Sequence, residues 1–116
     1  MGAVERKSFL LAVRIVKLCR YLQTAKKEKV LSKQLLRSGT SVGANVAEAQ
    51  QAQSRADFIA KLGISLKEIS ETKYWIKLLK ATDYLSDVEF TSIFSDCVEV
   101  EKLLTSIIST AKENVK

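Results

Sequence analysis

The sequence has no histidine and no proline, only four glycines and two cysteines. Without histidine there is no Ser-His-Asp or Cys-His nucleophile and no His-Glu-x-x-His zinc site. The Glu-x-x-His pairs that hold a di-iron centre inside a helical bundle are absent too. Cys19 and Cys97 lack CxxC spacing and fall at apolar helical positions, so they read as small core residues of a reducing compartment. Sheets need turn chemistry every 8–12 residues or so, and a proline-free chain whose Gly39, Gly43 and Gly63 lie within periodic segments lacks it. No apolar run approaches the roughly 18 uncharged residues of a membrane-spanning helix. Arg14 and Lys17 interrupt the N-terminal apolar stretch, so it does not read as a signal peptide. The expectation is an all-α protein of the cytoplasm with no membrane partner.

What is present is ordinary globular material. A length of 116 residues fits one domain over residues 1–116. Such a chain buries roughly two-thirds of its unfolded surface without a disulfide or metal staple. Helical periodicity marks four segments, at about 6–27, 31–53, 54–82 and 86–114. In the first, Leu11, Ile15, Leu18 and Leu22 form one apolar stripe and Phe9, Ala12, Val16 and Cys19 an adjoining one, enough to pack on two neighbours. The third opens with Ser54 and Asp57, the fourth with Ser86 and Glu89, each placed as a capping box. Connectors this short make sequential helices antiparallel, which predicts an up-down-up-down four-helix bundle.

Charge is unevenly shared. The formal net charge is +6, yet residues 1–30 carry eight basic and two acidic side chains, and residues 83–116 three basic and seven acidic. The outer arc of helix one (Arg6, Lys7, Arg14, Lys17, Arg20) and Lys73, Lys77 and Lys80 on helix three form the candidate nucleic-acid surface. Such cations neutralise phosphates and release counterions without reading sequence. Tyr21 lies on the same arc, where an aromatic ring can stack on an unpaired base. The acidic fourth helix is expected to leave one side of the subunit repelling phosphate.

The second segment carries no charge between Arg37 and Glu48. Ser38, Gly39, Thr40, Gly43, Ala44 and Ala47 offer so little side chain that another backbone can come close. They are read as a subunit interface, with tight packing offsetting the roughly 1 kcal/mol that each internal glycine costs against alanine. Arg37, Ser41, Asn45, Glu48 and Glu68 are read as structural polar groups that fix helix register. Glu68 and Glu71 are placed to face Asn45 and Glu48. No catalytic residue, metal or cofactor is expected.

Residues 35–50, Leu-Leu-Arg-Ser-Gly-Thr-Ser-Val-Gly-Ala-Asn-Val-Ala-Glu-Ala-Gln, closely resemble the signature of the bacterial "four helix bundle protein" family, the 23S rRNA intervening-sequence proteins. Residues 9–16, 54–68 and Glu71-Thr72-Lys73-Tyr74-Trp75 extend the likeness over nearly the whole chain. The resemblance implies a short antiparallel bundle assembled as a pentameric ring, with Arg37, Ser38, Ser41, Asn45, Glu48, Phe58 and Glu68 at motif positions and no catalytic role to transfer. A more distant similarity is to the accessory protein of diversity-generating retroelements, a basic pentamer linked to nucleic acid and a reverse transcriptase.

These readings converge on a non-enzymatic, self-associating bundle, a homopentamer, that binds nucleic acid (RNA rather than DNA) non-specifically through helices one and three. The alternative from another class is a scaffolding module whose ring docks an acidic protein partner.

Overall fold

In a computed structural model, which describes residues 2–114, the chain forms four helices: α1 (Gly2–Thr24), α2 (Leu31–Ala49), α3 (Arg55–Ala81) and α4 (Asp87–Glu113). No strand occurs among the described residues. Side-chain contacts fix the direction of each helix. Between α1 and α2, Gly43 lies against Ser8 and Gly39 against Ile15, while Cys19 reaches Ser32. Between α2 and α3, Arg37 meets Glu71 and Glu68, and Glu48 meets Lys61. Lys73 meets Glu101 and Lys80 meets Asp87 across α3 and α4. Lys7 meets Glu99 and Arg14 meets Asp96 across α1 and α4. In every pair one number rises as the other falls, so all four seams are antiparallel and the bundle runs up-down-up-down. It is a rod of 50 × 21 × 20 Å, and the seam that closes α4 back on α1 is the thinnest of the four.

The core follows the expected stripes. Leu11, Ile15 and Leu22 of α1 meet Leu35, Val42 and Val46 of α2, Leu62, Ile69, Ile76 and Leu79 of α3, and Ile93, Cys97, Val100 and Leu104 of α4, all buried. Buried serines and threonines tie α2 to α3 inside it. Ser65 donates to the Val42 carbonyl at 2.7 Å, and Thr72 Oγ1 lies 3.0 Å from Ser38 Oγ and 2.8 Å from the Glu68 carbonyl. Among the described residues no buried side-chain nitrogen or oxygen lacks a hydrogen-bond partner.

Helix ends show how the chain turns without proline or inter-helical glycine. Ser86 and Glu89 complete their box: the Ser86 hydroxyl accepts from the Glu89 amide at 3.1 Å, and the Glu89 carboxylate from the Ser86 amide at 2.8 Å. Ser54 accepts from the Asp57 amide at 3.0 Å, but the Asp57 carboxylate turns to the Gln53 amide instead. At the end of α3 the Asp83 amide bonds the Lys80 carbonyl and the Tyr84 amide the Leu79 carbonyl. That is the paired closure which normally uses glycine in the left-handed region, here taken by Asp83 at φ 69°.

Three expectations are corrected. Helix α2 stops at Ala49 rather than near Gln53, because Gln50–Gln53 must carry the chain round to the Ser54 cap. Phe9, placed by periodicity in the second core stripe, is 67% exposed; the small residues facing it across α1 and α2 leave it uncovered. Gly63 has nothing within 4 Å of where a Cβ would stand, so no close packing offsets that glycine.

Candidate nucleic-acid and subunit interfaces

The glycine-rich face of α2 divides in two. Ser38 and Gly39 are buried inside the subunit, and a Cβ on Gly39 would stand 2.7 Å from Ile15 Cγ2. The close backbone approach expected between subunits is therefore, at Gly39, an approach of α2 to its own α1, while Ser38 is taken up by Thr72 of α3. Neither residue is available to another copy. Gly43 also leans on α1, with the Ser8 carbonyl 3.2 Å from its would-be Cβ. It remains half-open, and with Thr40, Ala44, Ala47, Phe9 and Ala12 it lines a groove of about 600 Å³ between α1 and α2.

The structural polar group separates as well. Arg37 reaches across to α3, 3.0 Å from Glu68 and also paired with Glu71. The Trp75 indole N–H donates to Glu71 at 3.0 Å. That indole bond, together with Arg37, holds the Glu71 carboxyl below its ordinary value. Ser41 donates to the Arg37 carbonyl at 2.7 Å, and the Asn45 amide to the Ser41 carbonyl at 2.8 Å, both within α2. Glu48 pairs with Lys61 at 3.3 Å. Glu68 and Glu71 thus face Arg37 and not, as the sequence suggested, Asn45 and Glu48.

The basic faces meet the acidic helix. Lys7 pairs with Glu99 at 2.6 Å and Arg14 with Asp96 at 2.5 Å, with a further bond from Arg14 to Ser92 Oγ at 2.9 Å. On α3, Lys73 pairs with Glu101 and Lys80 with Asp87, both at 2.9 Å. Four of the nine candidate nucleic-acid residues therefore spend charge inside the subunit. The same contacts neutralise Asp87, Asp96, Glu99 and Glu101, so α4 presents far less free negative charge than its composition suggested. Arg6, Lys17 and Arg20 on α1 have no ion pair among the described residues. Lys77 has none either, and lies 5.8 Å from the centre of the Phe94 ring. Tyr21 is exposed beside Lys17.

Sequence reasoning missed Glu28. It sits in a run of lysines and reads as a solvated connector, yet it is buried. Its carboxylate accepts from the amides of Ser32 at 2.7 Å, Leu31 at 3.0 Å and Val30 at 3.2 Å. It thereby caps the start of α2, where Val30 offers no side-chain bond. Burial alone raises such a carboxyl, but these three amides and the Ser32 side chain outweigh it and hold Glu28 low. A lone acid two residues before Val30, with no Ser, Thr, Asp or Asn at that cap position, was the available signal.

Burial pushes both thiols, Cys19 and Cys97, up to about 12, far from the thiolate that reacts. Among the described residues no group of three or more Cys, Asp or Glu stands where it could hold a metal ion, and no helix is long and apolar enough to cross a membrane.

Residues 3–106 match the 23S rRNA-intervening sequence protein family. No curated protein matches the chain. A solved structure from Bacteroides thetaiotaomicron VPI-5482, described as a protein with unknown function from the S23 ribosomal protein family, is 56% identical. It superposes with a TM-score of 0.92 over 93% of this chain and 96% of that one.

Proposed function

The chain belongs to the 23S rRNA-intervening sequence protein family, and from that premise we propose that it is a non-enzymatic bundle that assembles with its own copies and binds nucleic acid, RNA before DNA, without reading sequence. The observation that carries the reading is the set of cations left over after internal pairing. Arg6, Lys17 and Arg20 share the outward arc of α1, with Lys77 on α3, and no carboxylate among the described residues pairs with them. The candidates are thereby narrowed from the nine residues legible in the sequence to these four and Tyr21, of which Lys77 stands apart on α3, a helix that does not adjoin α1. Self-association is supported by the groove between α1 and α2. A phenylalanine 67% exposed beside Ala44, Ala47 and Gly43 is apolar surface that a second copy would remove from water. A closed ring, for which a pentamer is the expectation, repeats the basic arc and converts modest contacts into avidity.

Two measurements test this. Light scattering at micromolar concentration should give an assembly, and Phe9→Glu should dissolve it; a strict monomer in the wild type removes the assembly. Filter binding at low salt should retain RNA, and a Lys17→Glu, Arg20→Glu, Lys77→Glu variant should lose retention, the log–log salt slope falling by about 0.7 for each single-strand contact removed. Absence of retention in the wild type overturns nucleic-acid binding and leaves the docking of an acidic protein as the reading to pursue.

A further inference from the structure

We propose that the cleft between the upper halves of α1 and α4 seats an unpaired nucleotide, its base against Tyr21 over an aliphatic floor and its phosphate at Lys17. The inference rests on the nucleic-acid reading above and adds to it a preference for single strands. The cleft holds about 550 Å³, within the roughly 300–1,000 Å³ of small-ligand sites. Leu18, Leu85 and Ile93 line its floor. Its rim is unusual for a helix pair: Tyr21 is 42% exposed and Val88, in the first turn of α4, 79% exposed. The Tyr21 hydroxyl has no partner among the described residues, and the Lys17 ammonium no ion pair. A flat ring face, an aliphatic floor and a free cation side by side are what a base with its phosphate satisfies together.

Arg14 decides between a nucleotide and a docking helix. Its guanidinium crosses from α1 to Asp96 and Ser92 of α4 and closes the lower end of the cleft. From there to Tyr21 is seven residues of helix, about 10 Å. That is room for one or two nucleotides, whereas an amphipathic helix placing anchors over more than two turns would run into the bridge. The carboxylate on the rim, Glu89, is engaged with the Ser86 amide at 2.8 Å. A duplex keeps its bases stacked inward and offers the cleft only its backbone.

The test compares a labelled uridine oligomer with an RNA duplex of equal length by fluorescence anisotropy. Wild type should prefer the single strand. Tyr21→Ala should weaken single-strand binding about 5- to 160-fold, the range for one stacked base, and leave the duplex within about twofold; Tyr21→Phe should keep the preference. Lys17→Gln should lower the single-strand salt slope by about 0.7. Tyr21 is at the surface, so an unchanged melting curve for Tyr21→Ala separates lost stacking from lost fold. If wild type binds both strands and Tyr21→Ala weakens both equally, or neither, the cleft proposal is overturned while the basic surface stands. If wild type binds neither strand, the nucleic-acid reading itself fails and the cleft proposal with it. Retention of polyglutamate that Tyr21→Ala abolishes would assign the cleft to an acidic polypeptide instead and also overturn the proposal.

Discussion

At α2 the backbone itself touches its neighbour: a methyl group on Gly39 would stand 2.7 Å from Ile15 Cγ2 and 2.9 Å from Cγ1. Buried hydroxyls of Ser65, Thr72 and Ser38 lock the other side of the helix to α3. At α4, by contrast, the polar links to α1 are charged side chains, Arg14 42% and Asp96 39% exposed, Lys7 34% and Glu99 52% exposed. Both helices bury an apolar stripe in the one core, but the further contacts that hold them differ in physics. The Gly39 approach and the buried hydroxyls at α2 are short-ranged, indifferent to salt and intolerant of added volume, although Arg37 and Glu48 on its open side also form ion pairs with α3. Those at α4 are long-ranged and solvated, worth little individually and open to competition from any polyanion. The lesson is that a low-charge helix here marks the inside of the subunit more than its outside, and that the cations facing α4 are in part already used.

The largest expected effect lies at the steric extreme. Gly39→Val should destabilise the fold by about 3 kcal/mol, read from urea denaturation, because Ile15 is fully buried and β-branched, with no free rotamer to yield. A loss below about 1 kcal/mol would mean that α1 and α2 can slide apart, and the contrast with α4 would dissolve.

Next comes the cap beneath α2. Glu28→Ala leaves the amides of Val30, Leu31 and Ser32 without their acceptor and should cost about 2 kcal/mol. The pH dependence follows from the direction of its shift. A carboxyl held below its ordinary 4.5 in the fold contributes stability that is complete above that value and is lost as pH falls through the folded value. Acid titration of wild type should therefore show a loss beginning below about pH 4.5 that is smaller in Glu28→Gln. Equal acid limbs in the two proteins would place the acid sensitivity elsewhere, at Glu71 or Glu89, whose carboxyls are also held low.

How much of this was legible in the sequence follows the same division. The stripes Leu11-Ile15-Leu22 and Ile93-Cys97-Val100-Leu104 specify which faces are buried, because periodicity is a local property. The serines at 54 and 86 specify where α3 and α4 begin for the same reason. Which neighbour a face meets is not local. Ser38 and Gly39 ask for a close backbone, and nothing in their spacing says whether it belongs to α1 or to another copy. Lys7, Arg14, Lys73 and Lys80 announce charge, but their pairing with α4 depends on helix order and register, set by the whole core. Glu28 was hidden for a related reason: its three lysine neighbours disguise a residue whose partners lie two to four positions ahead, on amides that carry no sequence mark. The end of α2 was overrun because Gln50, Gln51, Ala52 and Gln53 suit a helix well enough, and only the demand of the following cap stops it.

Gly63 sharpens the glycine side of the comparison. It sits exposed in the middle of α3 with nothing near a would-be Cβ, so Gly63→Ala should raise stability by about 0.5–1 kcal/mol through helix propensity alone. This is the reverse in sign of Gly39→Val, although periodicity treats the two glycines alike. A destabilised Gly63→Ala with light scattering shifted toward smaller species would relocate a subunit contact onto α3.

The smallest effect is expected at the ion pairs of α4. A double-mutant cycle on Arg14→Gln and Asp96→Asn should return a coupling of about 0.5 kcal/mol at low salt, shrinking toward zero in molar salt, since both side chains are about two-fifths exposed. The single Arg14→Gln variant should unfold at nearly the wild-type urea midpoint while loosening the lower end of the α1–α4 cleft. Hydrogen exchange should then quicken around Ser92 and Asp96 and remain unchanged around Val42 and Ser65. A coupling above about 2 kcal/mol, or one insensitive to salt, would mean that this seam is dry and rigid. In that case α4 would be held like α2, and the cations facing it would have no freedom to exchange a carboxylate for a phosphate.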